Sequence, residues 1–93
     1  MDTNIIPYDP EAYRFKTISD FKTSMRYGAE VVIEWQGQEY GIWSENGSIR
    51  ITCSGVPNES HLFESSDAAL EFTIGSDRLR DVITQVTVLD RSI

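Results

Sequence analysis

The stretch GAEVVIEWQGQEYGIWSENGSIRITC, residues 28–53, decides the fold because two turn signals fix how its strands align. Asn46-Gly47 is the stronger signal, since both central residues of a type I′ turn need positive φ, which Asn and Gly tolerate. Gln36-Gly37 is a weaker version of the same signal. The stretch therefore predicts three antiparallel strands joined by two tight turns.

The two turns together place apolar side chains on one face of the predicted sheet. Side chains alternate along a strand, and directly opposed residues point to the same face. A one-residue slip in either hairpin would reverse the faces of a strand, so two independent turns that agree support this register. The apolar face carries the following residues: Val31, Ile33, Trp35, Tyr40, Ile42, Ile49, Ile51 and Cys53.

The opposite face, called the outer face below, is mostly polar. Its residues are Glu30, Val32, Glu34, Glu39, Gly41, Trp43, Arg50 and Thr52. Glu34 directly opposes Glu39, and like charges opposed across strands are unfavourable. With Trp43 and Arg50 as anchors, the candidate partner-binding face consists of Glu30, Glu34, Glu39, Trp43 and Arg50. The alternative is a solvated face on which Trp43 lies under the Arg50 guanidinium as a cation–π pair.

Before the sheet, the sequence predicts an arm and a short helix. Residues 1–13 are polar and lack periodicity, which indicates a loosely ordered N-terminal arm, and residues 14–93 form a single α+β domain. Ser19 is the expected N-cap of a helix over about residues 20–27, which Gly28 ends. So short a helix is unstable alone and must dock its apolar stripe on the sheet.

After the sheet, the sequence predicts short elements of both kinds. Residues 61–63 suit a short extended piece, and Ser65 or Ser66 suits the N-cap of a second helix. Residues 76–77 are expected to start a third short helix. Residues 85–89 are β-branched and predict a terminal strand that pairs with an edge of the meander, either edge being compatible. The predicted fold is α+β: a small antiparallel β-meander of three strands plus a C-terminal strand, packed on one face by short helices.

Length, composition and charge restrict the class of protein. The chain has 93 residues, with 40% hydrophobic and 25% charged residues, which is typical of one globular domain. A net charge of −7 disfavours nucleic acid and anionic membrane surfaces as partners. The charge permits a basic protein partner, or it serves solubility alone. A single cysteine, no apparent signal peptide and no membrane-spanning segment predict a cytoplasmic protein.

Residues with potential chemistry favour structural roles. Cys53 falls on the core face and is expected to be buried filler, while His61 is expected to lie in a loop without a metal partner at ligand spacing. Glu30 and Glu34 could divide into acid and base, but a small sheet rarely forms the deep cleft that this needs. The arginines of residues 76–81 alternate with acids, as exposed helix charges do. We therefore expect no enzyme, no cofactor and no metal.

Several short motifs follow one another along residues 15–90. They are Asp20-Phe21, Gly28 to Glu30, Trp35 to Ile42, Phe63 to Ser65, and Gly75 to Asp81. Their order resembles a family of small uncharacterised bacterial proteins. Its members share a DF helix, a Gly-Glu strand start, a W/Y-x-G-x-x-Y-x-I hairpin, an F-x-S helix start and a G-x-x-L-R-D-like segment. The resemblance implies a compact α+β domain and carries no established activity.

Two functional hypotheses from different classes follow. The first is a small acidic protein-interaction module, which would be an inhibitor, an immunity-type neutraliser of a basic toxin, or a subunit of a larger assembly. The second is a small-molecule-binding or regulatory domain with its ligand between the helices and the sheet. An enzyme is favoured least. A homodimer through an open sheet edge or through the N-terminal arm is compatible with the first two.

Overall fold

The computed structural model describes residues 10–55 and 59–92, which form an antiparallel sheet with short helices against it. The helices are α1 (Pro10–Tyr13), α2 (Ile18–Arg26), α3 (Ser66–Leu70) and α4 (Leu79–Val82). The strands are β1 (Glu30–Trp35), β2 (Gln38–Glu45), β3 (Ser48–Cys53), β4 (Ser60–Phe63), β5 (Thr73–Ile74), β6 (Asp77–Arg78) and β7 (Thr87–Arg91). The main sheet has five strands in the order β4-β3-β2-β1-β7, and β5 and β6 form a separate pair. The predicted fold class is confirmed.

Both predicted turns join the strands as two-residue loops with positive φ. The φ angles are 53° and 84° at Gln36 and Gly37, and 53° and 88° at Asn46 and Gly47. As predicted, Ile33 then pairs with Tyr40, and Ile42 pairs with Ile51. Both hairpins keep the predicted register along their whole length.

The apolar face of the sheet forms one side of the core. Ile33 and Ile42 have no solvent exposure, and the helices add Phe21 and Leu70 to the same buried cluster. Cys53, which was expected to be buried, is only partly buried and packs at the margin of this cluster. The remaining predicted members of the face are buried or partly buried as expected: Val31, Trp35, Tyr40, Ile49 and Ile51.

Helix α2 begins one residue beyond Thr17, so the predicted N-cap Ser19 is wrong. The Thr17 hydroxyl accepts a hydrogen bond from the Asp20 backbone N–H at 3.0 Å. The Asp20 carboxylate in turn accepts the Lys16 N–H at 3.1 Å, so side chains satisfy two N–H groups at the helix start. The end of the helix is as predicted, because Gly28 follows the C-cap with φ of 81°.

The second half of the chain departs from prediction at the third helix. Ser65 caps α3 as expected, its hydroxyl accepting the Ala68 N–H at 3.1 Å. The third helix does not begin at residues 76–77, because Asp77 and Arg78 form a strand that pairs back on β5. Gly75, at φ 64°, lies in the turn between β5 and β6. Helix α4 begins only where this pairing stops.

Strand β4 extends the meander beyond its predicted three strands. Residues 61–63 are extended as expected, and they also pair with β3, which the sequence did not indicate. At the opposite edge of the sheet, α1 lies beside β7. This helix includes the last residues of the predicted arm. Residues 1–9 of that arm lie outside the described residues.

The terminal strand pairs with β1 and begins later than predicted, at Thr87. Its last residue, Arg91, contacts α2 and the segment before it. The Arg91 guanidinium donates to Asp20 Oδ1 at 2.9 Å and to Ser24 Oγ at 2.8 Å, and it lies 4.2 Å from the centre of the Phe15 ring. Its side chain is only 15% exposed. One arginine thus ties the last strand to α2 and to the segment before it.

We predict that Ile42→Ala lowers the free energy of unfolding by about 2–5 kcal/mol, because it leaves a cavity in the centre of the core. Val32→Ala, on the outer face of the neighbouring strand, is the matched control and should cost much less. Urea denaturation of both variants measures the difference. Equal losses, or a loss near zero for Ile42→Ala, would contradict the assignment of the two faces.

Candidate functional site

Strand pairing arranges the outer face in rows that cross the sheet. One row, from β4 to β1, contains Leu62, Arg50, Trp43 and Glu30. The next row contains Ser60, Thr52, Gly41, Val32 and Asp90. A third contains Glu39, Glu34 and Thr87. All of these residues are exposed or half-buried, and the structure brings the five predicted candidate residues together on one surface.

The Trp43 indole lies close to the backbone of Gly41, which has no side chain to keep it away. A Cβ atom at Gly41 would lie 3.3 Å from Cζ3 of the Trp43 indole and 3.0 Å from the Thr52 hydroxyl. The indole therefore rests against the backbone at Gly41 near the middle of the outer face. A glycine inside a strand signals such a close approach. Gly41 could therefore have indicated the position of Trp43 from the sequence.

Arg50 does not form the cation–π pair with Trp43 that the solvated-face alternative predicted. Its guanidinium instead makes a bidentate ion pair with the Glu45 carboxylate, with N–O distances of 2.8 and 2.9 Å. Its remaining Nη1 donates to the Ser60 hydroxyl at 2.6 Å. The planar guanidinium suits this two-point pairing with a carboxylate. Sequence reasoning missed Glu45, which belongs to the site.

The pairing of Arg50 with Glu45 keeps both groups charged. The hydrogen bonds from Arg50 lower the pKa of the Glu45 carboxyl. A side-chain hydrogen bond between Glu45 and Trp43 lowers this pKa further. The hydrogen bond to Glu45 raises the pKa of Arg50. Since these two charges cancel, the outer face keeps the unbalanced charge of its other acids, Glu30, Glu34, Glu39 and Asp90.

The opposed acids Glu34 and Glu39 are tolerated because Glu34 has another partner. They pair directly across β1 and β2, as predicted. The Glu34 carboxylate accepts the Gly37 backbone N–H at 2.6 Å. This bond holds the carboxylate at the turn, where a backbone donor offsets part of the repulsion.

His61 lies on strand β4 and not in the predicted loop. Its Nε2 is 2.9 Å from Glu59 Oε2. The ring centre is 4.7 Å from that of Phe72 and 6.4 Å from that of Phe63. Among residues 10–55 and 59–92, no group of His, Cys, Asp and Glu has the arrangement of a metal site. The histidine belongs to an aromatic cluster at the sheet edge.

Arg78 and Arg80 are exposed, as expected, and share one carboxylate, but Arg78 lies on strand β6 and only Arg80 lies on a helix, α4. Arg78 and Arg80 donate to Glu71 at 3.0 and 2.6 Å. The hydrogen bond from Arg80 is the largest cause that lowers the pKa of Glu71, followed by the bond from Arg78. This carboxylate occupies both arginines, which argues against an anion site there.

A cavity of about 390 Å³ lies between the end of α2, the β2–β3 turn and the start of α3. Met25 and Ile49 contribute apolar surface, while Lys22, Arg26 and Glu64 contribute charge. Lys22 is 2.8 Å from Asp67, whereas Arg26 is exposed and makes no ion pair with another described residue. This volume falls within the range of small-molecule pockets.

Models of protein families, curated proteins and solved structures were compared with this chain, and none matches it. The resemblance drawn from the short motifs therefore stays a prediction. In the part of the chain that the structure describes, no helix has the length and apolar character needed to cross a membrane.

We predict that Arg50→Gln raises the pKa of Glu45 towards that of a free glutamate, since the bond that lowers it is lost. NMR titration of the carboxyl carbon measures this pKa. A lowered pKa stabilises the fold above the unfolded pKa, and the effect is lost as pH falls through the folded pKa. Any stability gap between wild type and Glu45→Gln should therefore shrink in acid. An unchanged Glu45 pKa in Arg50→Gln would contradict the assignment.

Proposed function

We propose that the protein is an acidic protein-interaction module whose outer face binds a basic protein. The observation that carries the proposal is the Trp43 indole seated on Gly41, in the middle of an acidic sheet face. Among the described residues of this face, Arg50 is the single cation, and Glu45 already neutralises it. A basic partner would therefore meet an aromatic anchor surrounded by carboxylates.

This arrangement has the composition of a binding surface. Large aromatic side chains carry much of the binding energy of protein interfaces, and Trp43 is only half-buried within its own chain. Acids around such an anchor steer a cationic partner and repel acidic ones. Arg50 holds the Glu45 carboxylate beside Trp43. Because its guanidinium is already paired, Arg50 does not serve as an anchor for the partner. The carboxylates Glu30 and Glu39 are exposed at either side.

The proposal suits an inhibitor, an immunity-type neutraliser of a basic toxin, or a subunit of an assembly, because all three recognise a cationic protein surface. It places the protein in the cytoplasm, where a free thiol such as that of Cys53 stays reduced. It assigns no catalytic step to any residue.

We predict that Trp43→Ala weakens binding of the partner at least tenfold, about 1.4 kcal/mol, as loss of an interface anchor does. The partner is a basic protein recovered from the source organism on immobilised wild-type protein, then purified. Titration calorimetry of the purified pair measures the affinity. The wild-type affinity should also fall as salt rises, because screening weakens charge attraction.

A charge-matched pair of double variants separates the outer face from net charge. Glu34→Gln with Glu39→Gln removes two acids from the face, and Asp67→Asn with Asp81→Asn removes two exposed acids from the helices α3 and α4. Only the first pair should weaken binding. If both pairs weaken binding equally, net charge explains it and the outer face is not the binding surface.

The cavity beside α2 supports a second candidate, a small-molecule-binding function. Two cations, Lys22 and Arg26, line this cavity with one acid, Glu64, and with apolar Met25 and Ile49, which suits a small anion with an apolar part. A ligand at about 100 times its Kd raises the free energy of unfolding by about 2.7 kcal/mol. A thermal-shift screen with carboxylate and phosphate metabolites should show such a shift in wild type and lose it in Arg26→Ala. Shifts equal in both proteins would exclude this cavity.

A further inference from the structure

The two outer strands of the main sheet are protected differently. Strand β7 has an irregular register opposite Val32 and Ile33, and α1 lies beside it. Irregular strands and covering elements are common devices against pairing with a further chain. Strand β4 is regular along its length, and no described residue pairs with its outer side. The β4 edge is thus the open edge of the described structure.

The backbone groups that β4 offers outward follow from its pairing with β3. The Cys53 N–H donates to the Glu59 carbonyl at 3.1 Å, so Glu59 turns its backbone groups towards β3. Because these directions alternate along an antiparallel strand, His61 and Phe63 also face β3. The N–H and C=O groups of Ser60, Leu62 and Glu64 therefore point away from the sheet.

We propose that a second copy of this chain adds its own β4 to this edge, antiparallel, with Leu62 opposite Leu62 on a twofold axis. This register places every outward-facing residue opposite another, since Ser60 of each copy then faces Glu64 of the other. A shift of the pairing by one residue would set the outward-facing residues of one copy opposite residues of the other copy whose backbone groups already bond to β3. Centring the pair on His61 would also set outward-facing residues opposite one another. It would, however, oppose two histidines and place each Leu62 opposite a serine.

The side chains fit the same register on both faces. Leu62 is 53% exposed on the outer face, unusual for a leucine in a strand, and the axis would bury it against its counterpart. On the other face, His61 of each copy would lie opposite Phe63 of the second copy. The cluster of His61, Phe63 and Phe72 would then continue across the axis.

Charge is compatible with the second copy as occupant. The register opposes the Ser60 hydroxyl, a donor, to the Glu64 carboxylate, and it sets no like charges directly against each other. Each copy carries a net charge of −7, so the two copies repel at long range. Added salt should therefore strengthen self-association, which is opposite to its effect on the binding of a basic partner.

Leu62→Lys tests the edge, and Tyr27→Lys is its matched control. Tyr27 is 66% exposed and lies at the end of α2, outside the strands of the sheet, so the control removes an exposed hydrophobic residue of similar kind. We expect wild type and Tyr27→Lys to dimerise in sedimentation-equilibrium runs up to about 1 mM, since a small interface binds weakly. Leu62→Lys should stay monomeric. A wild type that is monomeric throughout, or a Leu62→Lys that dimerises equally, would overturn the proposal.

Disulfide trapping tests the register. In a Cys53→Ser background, Leu62→Cys should oxidise to a covalent dimer, because a hydrogen-bonded pair separates its Cα atoms by about 5.5 Å, within disulfide range. Ser60→Cys should not, since its two copies would lie about 13 Å apart along the strands. Equal trapping at both positions would overturn the register. These measurements do not involve a basic partner. Their failure would therefore contradict the dimer without contradicting the proposed function.

Discussion

The structure depends on one constraint, the parity of two hairpins. At Gln36-Gly37 and Asn46-Gly47 the backbone takes positive φ at both loop residues, so each loop has a fixed length of two residues. A loop one residue longer would turn one strand over and put its isoleucines in water. The core on one face and the acidic outer face on the other are therefore two results of the same turn geometry.

The sequence predicted what local signals control and missed what distant contacts control. The hairpin register and the Ser65 cap are encoded in neighbouring residues. The pairing of the last strand with β1 is not, because it involves contacts between residues far apart in the chain, such as the ion pair of Arg91 with Asp20. The Ser19 error has a local cause: Thr17 also has a capping side chain, and the Lys16–Asp20 bond selects it.

The candidate site was predictable as a surface but not in its side-chain contacts. Register alone placed Trp43 and Arg50 as neighbours. It could not show that Arg50 turns to Glu45, because a guanidinium beside a carboxylate and an indole takes the partner that offers a bidentate bond. Sequence reasoning assigned His61 both to an extended piece and to a loop, for a related reason. Its strand is held by pairing with β3, and a four-residue strand has little periodicity of its own.

The position of Arg91 has a consequence for how the chain is made. Strand β1 lies between β2 and β7, and β7 follows the other described elements along the chain. While the chain is being synthesised, the β1–β2 hairpin can form early, but one side of β1 stays unpaired until residue 91 has emerged. During that interval Glu30 and Glu34 place negative charge along β1, and charged side chains on an open edge disfavour pairing with another chain. The acids of the mature outer face are therefore also the charges on β1 before the sheet is complete.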